Sequence, residues 1–153
     1  MNNYYKEYIK YKEKYRQLKL KDGAFNKNSF FNKDRPIEVS LSEPWFSLIK
    51  NGEKKVEGRL NKGLFERIGV GQQITFFNMD RITKQKNTFT CKVVDKKPYD
   101  TFEEMLEKEG LQNVLPDRSL KTVQDGVNVY RRWYNETMEK QYGVMALHVD
   151  CSV

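Results

Sequence analysis

Between Pro36 and Val149 the strand and helix signals of this chain follow an order that a βαβ repeat cannot use. Ile37 to Leu41 reads as a short strand, and Ser42-Glu43-Pro44 follows, with Ser42 or Glu43 placed to cap a helix and Pro44 suited to its first turn. That helix runs to about Asn51, with Trp45, Leu48 and Ile49 on its buried side, and Gly52 supplies the left-handed residue that ends it. Strands are then expected over Lys54 to Leu60, Gln73 to Phe77 and Asn87 to Val94, the last with Phe89, Cys91 and Val93 on one side. Thr101-Phe102-Glu103-Glu104 opens a helix through Glu109 that Gly110 stops, and Val123, Val127, Tyr130 and Tyr134 mark a second. Tyr142 to Val149 closes the chain as an apolar strand. Connections this uneven predict a mixed α+β fold: a small, curved, partly open β-barrel with peripheral helices.

The length of 153 residues suits one ordinary domain, and the charge shows where that domain starts. The formal charge is +7, yet residues 1–35 hold ten Lys or Arg against four Asp or Glu, while residues 36–153 hold eighteen against seventeen. The excess belongs to an N-terminal arm, and the body alone does not demand a long polyanion. Within the arm, Tyr4, Tyr8, Tyr11, Tyr15 and Leu18 recur at helical spacing over residues 3–20. Such a stripe can dock on the chain's own body or on a partner helix, stack bases beside a cationic face, or belong to a loosely ordered leader. Residues 21–35 lack a period and read as a linker, which sets the folded domain at 36–153.

Several classes are set aside by what the sequence does not contain. No apolar run approaches the roughly 20 residues that span a bilayer, and the first residues carry no signal-peptide core, so an intracellular, cytoplasmic protein is expected. Cys91 and Cys151 read as neither a disulfide framework nor a zinc pattern, and His148 has no ligand-spaced neighbour, so neither a metal nor a cofactor is expected. There is no phosphate-loop sequence and no dinucleotide-binding glycine fingerprint.

The chemistry concentrates in Gly52-Glu53-Lys54-Lys55-Val56-Glu57-Gly58-Arg59, where both signs of charge sit beside glycines between a helix end and a strand. Period-two alternation puts Lys55, Glu57 and Arg59 on one face, and Lys54 can reach the same pocket from the turn. Arg59 is suited to a paired contact with phosphate or a base edge, Lys54 to a flexible positive charge, and Glu57 to accepting from a base amine or holding Arg59. Trp45 is placed either to stack on a base or to pack in the core.

The motif Gly-x-Lys-x-x-Glu-x-Arg, met by Gly52, Lys54, Glu57 and Arg59, resembles the signature of the ASCH domain family, a branch of the PUA-like β-barrels associated with RNA. The preceding segment from Val39 to Ile49 resembles eukaryotic and viral members, and Tyr- and Lys-rich leaders like this arm look like those of giant DNA viruses. The turn Ile68-Gly69-Val70-Gly71-Gln72 and the final strand also fit, so the likeness covers about Pro36 to Val149. It implies a PUA-like cleft between barrel and first helix, lined by Lys54, Glu57 and Arg59 and suited to RNA or a nucleotide-derived ligand. Glu43 stands where relatives often carry Gln, and a carboxylate lacks the amide's donor. Some small bacterial members are amidohydrolases acting on N4-acetylcytidine with a Lys, a Thr and a Glu. By that resemblance Lys54 takes the place of the Lys and Glu57 the place of the Thr, with Glu109 a counterpart for the remote Glu. A ribonuclease built on Lys54, Glu57 and Arg59, or a scaffold recruited through the arm, are the further readings.

Overall fold

In the computed structural model, residues 37–152 are described, all within the second of the two units into which the chain divides, Pro36–Val153. The expected Tyr-striped helix and linker lie outside the described residues. The order is β1 (Ile37–Ser40), α1 (Trp45–Lys50), β2 (Val56–Leu60), α2 (Leu64–Arg67), β3 (Gln73–Met79), β4 (Lys86–Tyr99), α3 (Phe102–Glu109), α4 (Leu111–Val114), α5 (Val123–Tyr130), α6 (Glu136–Tyr142) and β5 (Val144–Asp150). The strands form one sheet in the order β1-β3-β4-β5-β2, with β1 and β3 parallel and the other pairs antiparallel. The sheet curls into a half-barrel with peripheral helices, the mixed α+β architecture that the uneven connections predicted.

Each face of the sheet carries its own core. Val39, Ile74, Phe76, Cys91, Val93, Met145, Leu147 and Val149 alternate onto one face and bury Phe46 and Ile49 of α1. Val56, Leu60, Val144 and Ala146 alternate onto the other and bury Phe102, Met105 and Leu106 of α3 with Val127, Val129 and Tyr130 of α5. β4 runs through fourteen residues, pairing with β3 by its first half and β5 by its second, with an irregularity between Val93 and Asp95. This long shared strand lets one sheet serve two cores, and a bulge is the usual means of bending it.

Several local expectations change. Pro44 stands just before α1, and Glu43 takes hydrogen bonds from the Ser47 backbone N–H (3.2 Å) and hydroxyl (2.8 Å). Phe46 replaces Trp45 and Leu48 as the buried partner of Ile49, because a six-residue helix buries only a narrow stripe. The predicted helix through Tyr134 ends at Tyr130; a turn follows, and Asn135 caps α6 by accepting from the Met138 N–H at 2.8 Å. Thr101 caps α3 as its sequence pattern indicates.

The two cysteines, which the sequence did not mark as a disulfide framework, form a disulfide. Lys92 pairs with Asp150 across β4 and β5, so Cys91 and Cys151 fall opposite one another just beyond that pair. Sixty residues of sequence separate them, which is why spacing alone does not reveal the bond.

Candidate functional site

β2 is an edge strand, and its edge is where the site forms. Val149 N–H donates to the Lys55 carbonyl and Asn61 N–H to that of Gly143, so the odd-numbered residues turn their main-chain groups toward β5. The main-chain groups of Val56, Gly58 and Leu60 therefore turn toward the open edge. Beside that edge lies a cavity of about 440 Å³, and β1, the opposite edge of the curled sheet, forms its rim through Ser40, Leu41 and Ser42. Arg59 spans the seam: Nη2 donates to the Ser40 carbonyl at 2.8 Å and Nε to Glu57 Oε1 at 2.7 Å.

The charged signature is mostly buried and largely committed to itself. Lys54 is 2% exposed and Glu57 5%. The Lys54 ammonium donates to the carbonyl of Val56 at 2.6 Å and to that of Val114, and lies 3.5 Å from Glu57 Oε2. Those partners engage all three of its donors. Burial is the strongest influence on Lys54 and lowers its pKa, with Glu57 opposing the shift. Burial would by itself raise the pKa of Glu57, but Lys54 and Arg59 on either side hold it below the ordinary carboxylate value. The result is a carboxylate kept ionised at the base of the cleft.

Four aromatic residues complete the walls. Trp45 lies half-buried with the Lys54 ammonium 5.6 Å from its ring centroid, and Tyr130, Trp133 and Tyr134 approach from α5 and the turn after it. Trp133 is 50% exposed, a large apolar surface held open at the rim. Tyr130 and Tyr134 are fixed by stacking on Phe102, with centroids at 4.2 and 5.6 Å. Burial, followed by the charge of Glu57, pushes the Tyr130 phenol well above its usual pKa, so it stays a neutral hydroxyl. Sequence reasoning missed these three; the available signal was the dense run Tyr130-Arg131-Arg132-Trp133-Tyr134.

Gly58 lets this wall close against the strand. A Cβ there would fall 2.6 Å from Met105 Cε and 2.7 Å from Tyr130 Oη. Gly58→Ala is expected to cost about 1–3 kcal/mol, the usual range for overpacking. Thermal denaturation measures this, and an unchanged midpoint would contradict the tight contact.

The other expected site residues lie elsewhere. Glu43 is held by Ser47 and does not line the cavity. Glu109 sits on the opposite face of the sheet from Glu57: Glu57 pairs with Leu147 on one face, whereas Glu109 Oε2 lies 2.8 Å from Nε2 of His148, which points to the other. Its second oxygen accepts from the Tyr99 hydroxyl at 2.5 Å, and burial, followed by that carboxylate, pushes the Tyr99 phenol well above its usual pKa. The grouping of Lys54, Glu57 and Glu109 in one catalytic site is therefore not what the fold assembles. No group of three His, Cys, Asp or Glu able to hold a metal occurs among the described residues, and none of their helices is long and apolar enough to cross a membrane.

A half-barrel whose seam holds a charged, aromatic-walled cleft is a PUA-like domain. The chain belongs to the ASCH domain family, whose model matches residues 39–151. It is similar to the crystal structure of hypothetical protein PH0355, with 40% identity, a TM-score of 0.64, and coverage of 76% of this chain and 98% of that one. It is also similar to the solution NMR structure of protein PF0455 from Pyrococcus furiosus, with 40% identity, a TM-score of 0.59, and coverage of 76% and 96%. Both relatives are archaeal, so the comparisons support the family without its expected eukaryotic and viral branch. No curated protein matches.

Proposed function

We propose that this protein binds RNA, taking one unpaired or modified nucleotide into the cleft between β1 and β2. The observation that carries the reading is the convergence of Trp45, Tyr130, Trp133 and Tyr134 with Arg59 on a single cavity of about 440 Å³. Aromatic rings offer a base its stacking surface, and a cavity of this size lies within the range of small-ligand sites. The Gly58 main chain and the Tyr130 hydroxyl provide donors and acceptors for the base edge, while Arg59, which also engages the Tyr134 hydroxyl, keeps guanidinium N–H groups beyond those used on Glu57, Ser40 and Tyr134. Lys54 serves by keeping Glu57 charged and in place. Membership of an RNA-associated family supports the same reading.

Hydrolysis of N4-acetylcytidine-like nucleosides draws less support. Glu109 lies across the sheet, and the Lys54 ammonium is enclosed by its acceptors. A ribonuclease needs a free acid or base beside the phosphate, which the paired Glu57 does not offer.

The test uses Trp133→Ala, because Trp133 is exposed enough to remove without opening a core. Loss of one base-stacking surface is worth about 1–3 kcal/mol of binding. Affinity for nucleosides and short single-stranded RNA, followed by calorimetry, is expected to fall accordingly with the thermal midpoint unchanged. Equal affinity of native and variant protein for every RNA ligand, or no binding by the native protein, would remove the proposal.

A further inference from the structure

The connection between β3 and β4 presents a second surface that the cleft does not use. After Met79 the chain turns through Asp80-Arg81-Ile82-Thr83-Lys84-Gln85 before β4 begins at Lys86. Asp80 builds the turn: its carboxylate accepts from the Ile82 and Thr83 N–H groups, each at 2.8 Å, and those bonds lower its pKa. Lys84 closes the turn at φ +60, a conformation favouring glycine, with its N–H bonded to the Asp80 carbonyl at 3.0 Å. Asp80 is thus turned inward to the backbone. Arg81 and Lys84 are exposed and have no carboxylate partner among the described residues, and Ile82 between them is 92% exposed. The next cation, Lys86, is tied to Glu38 at 3.0 Å.

The position of this tip relates it to the cleft. β1 and β3 are parallel, with Ser40 opposite Phe77. Beyond that pair the Leu41 N–H donates to the Phe77 carbonyl at 2.9 Å, and the Asn78 amide to the Leu41 carbonyl at 2.6 Å. Ser40, Leu41 and Ser42 are the rim of the cavity. The strand that stitches this rim in place is therefore the one that runs on into the cationic tip. Five residues from Phe77 to Ile82 correspond to about 16 Å of extended chain.

We infer that the β3–β4 tip is a backbone clamp for single-stranded RNA whose base occupies the cleft. Arg81 and Lys84 meet phosphates flanking the bound nucleotide, and Ile82 packs against a neighbouring base. The inference rests on the cleft reading and adds a second contact, which converts a site for one nucleotide into a site for a strand. Charge selects the partner: two cations with no carboxylate partner among the described residues, set around an exposed apolar side chain, complement the anionic backbone and apolar base faces of an unpaired strand.

The experiment compares full-length native protein, Arg81→Ala/Lys84→Ala, Ile82→Ser and Trp133→Ala against a single-stranded RNA of about ten nucleotides and against single nucleosides. For the double variant, RNA affinity is expected to fall about tenfold and the slope of log affinity on log salt to become shallower by about 1.4, two phosphate contacts at roughly 0.7 each. Nucleoside affinity and thermal midpoint should stay the same. Ile82→Ser should weaken RNA binding without altering the slope. Unchanged RNA affinity and slope in the double variant, with Trp133→Ala still impaired, would overturn the clamp and spare the cleft. A weakened double variant beside an unaffected Trp133→Ala would instead overturn the cleft. Tighter binding of duplex than single strand would overturn the clamp as well.

Discussion

Glu57→Gln is expected to destabilise the domain by about 3–5 kcal/mol, the usual cost of leaving one member of a buried ion pair without the other. The amide keeps the volume and removes the charge that lies between Lys54 and Arg59 at 3.5 and 2.7 Å. Arg59 still reaches the Ser40 carbonyl and partial solvent, but Lys54 remains enclosed. Chemical denaturation measures the loss. Adding Lys54→Met to the variant should recover much of it, because a buried aliphatic chain needs no counter-charge. A loss below about 1 kcal/mol would mean that the pair behaves as a solvent-exposed one. Acid should act on the same bond. Folding holds Glu57 below its ordinary value, so its contribution is complete at pH above the unfolded pKa, near 4.5, and is lost as pH falls through the lower folded value. The native protein should therefore lose stability on the acid side of that point more steeply than Glu57→Gln.

Cys91→Ser is expected to have a comparable effect for a different reason. Closing a loop between residues sixty apart restricts the unfolded chain by about 4 kcal/mol in the chain-entropy account. The fully buried Cys91 also packs in the core inside the curl, so its replacement acts on the folded state too. The clean measurement is the denaturation midpoint with and without a thiol reductant: a large drop for the native protein and no further drop for the variant. Identical midpoints for native protein in both conditions would show that the bond contributes nothing. Ordinary cytosol keeps thiols reduced, so the expected cytoplasmic setting would leave the protein with the stability of its reduced form.

What the sequence made legible follows from the range of each signal. Strand alternation, the Thr101 cap and the Gly52 and Gly110 stops are local, and those elements stand close to where periodicity puts them. The Cys91–Cys151 bond depends on the register of β4 against β5, which no local pattern reports. Glu109 failed as a partner for Glu57 through the same parity: one residue separates Leu147 from His148, and that step changes the face of the sheet. Lys54 was legible as a residue that lines the cavity, but its enclosure depends on the Val114 carbonyl sixty positions away. The aromatic wall was hidden because Tyr130 and Tyr134 continue a helical period across a turn that only tertiary packing reveals.

The Arg59 hydrogen bond to Ser40 joins the two edges of the sheet across the mouth of the cavity. β1 contains four residues and β2 five, and neither has a strand on its outer side among the described residues. One side chain thus both closes the curl and lines the cavity, so a substitution at Arg59 alters the width of the seam together with the chemistry of its lining.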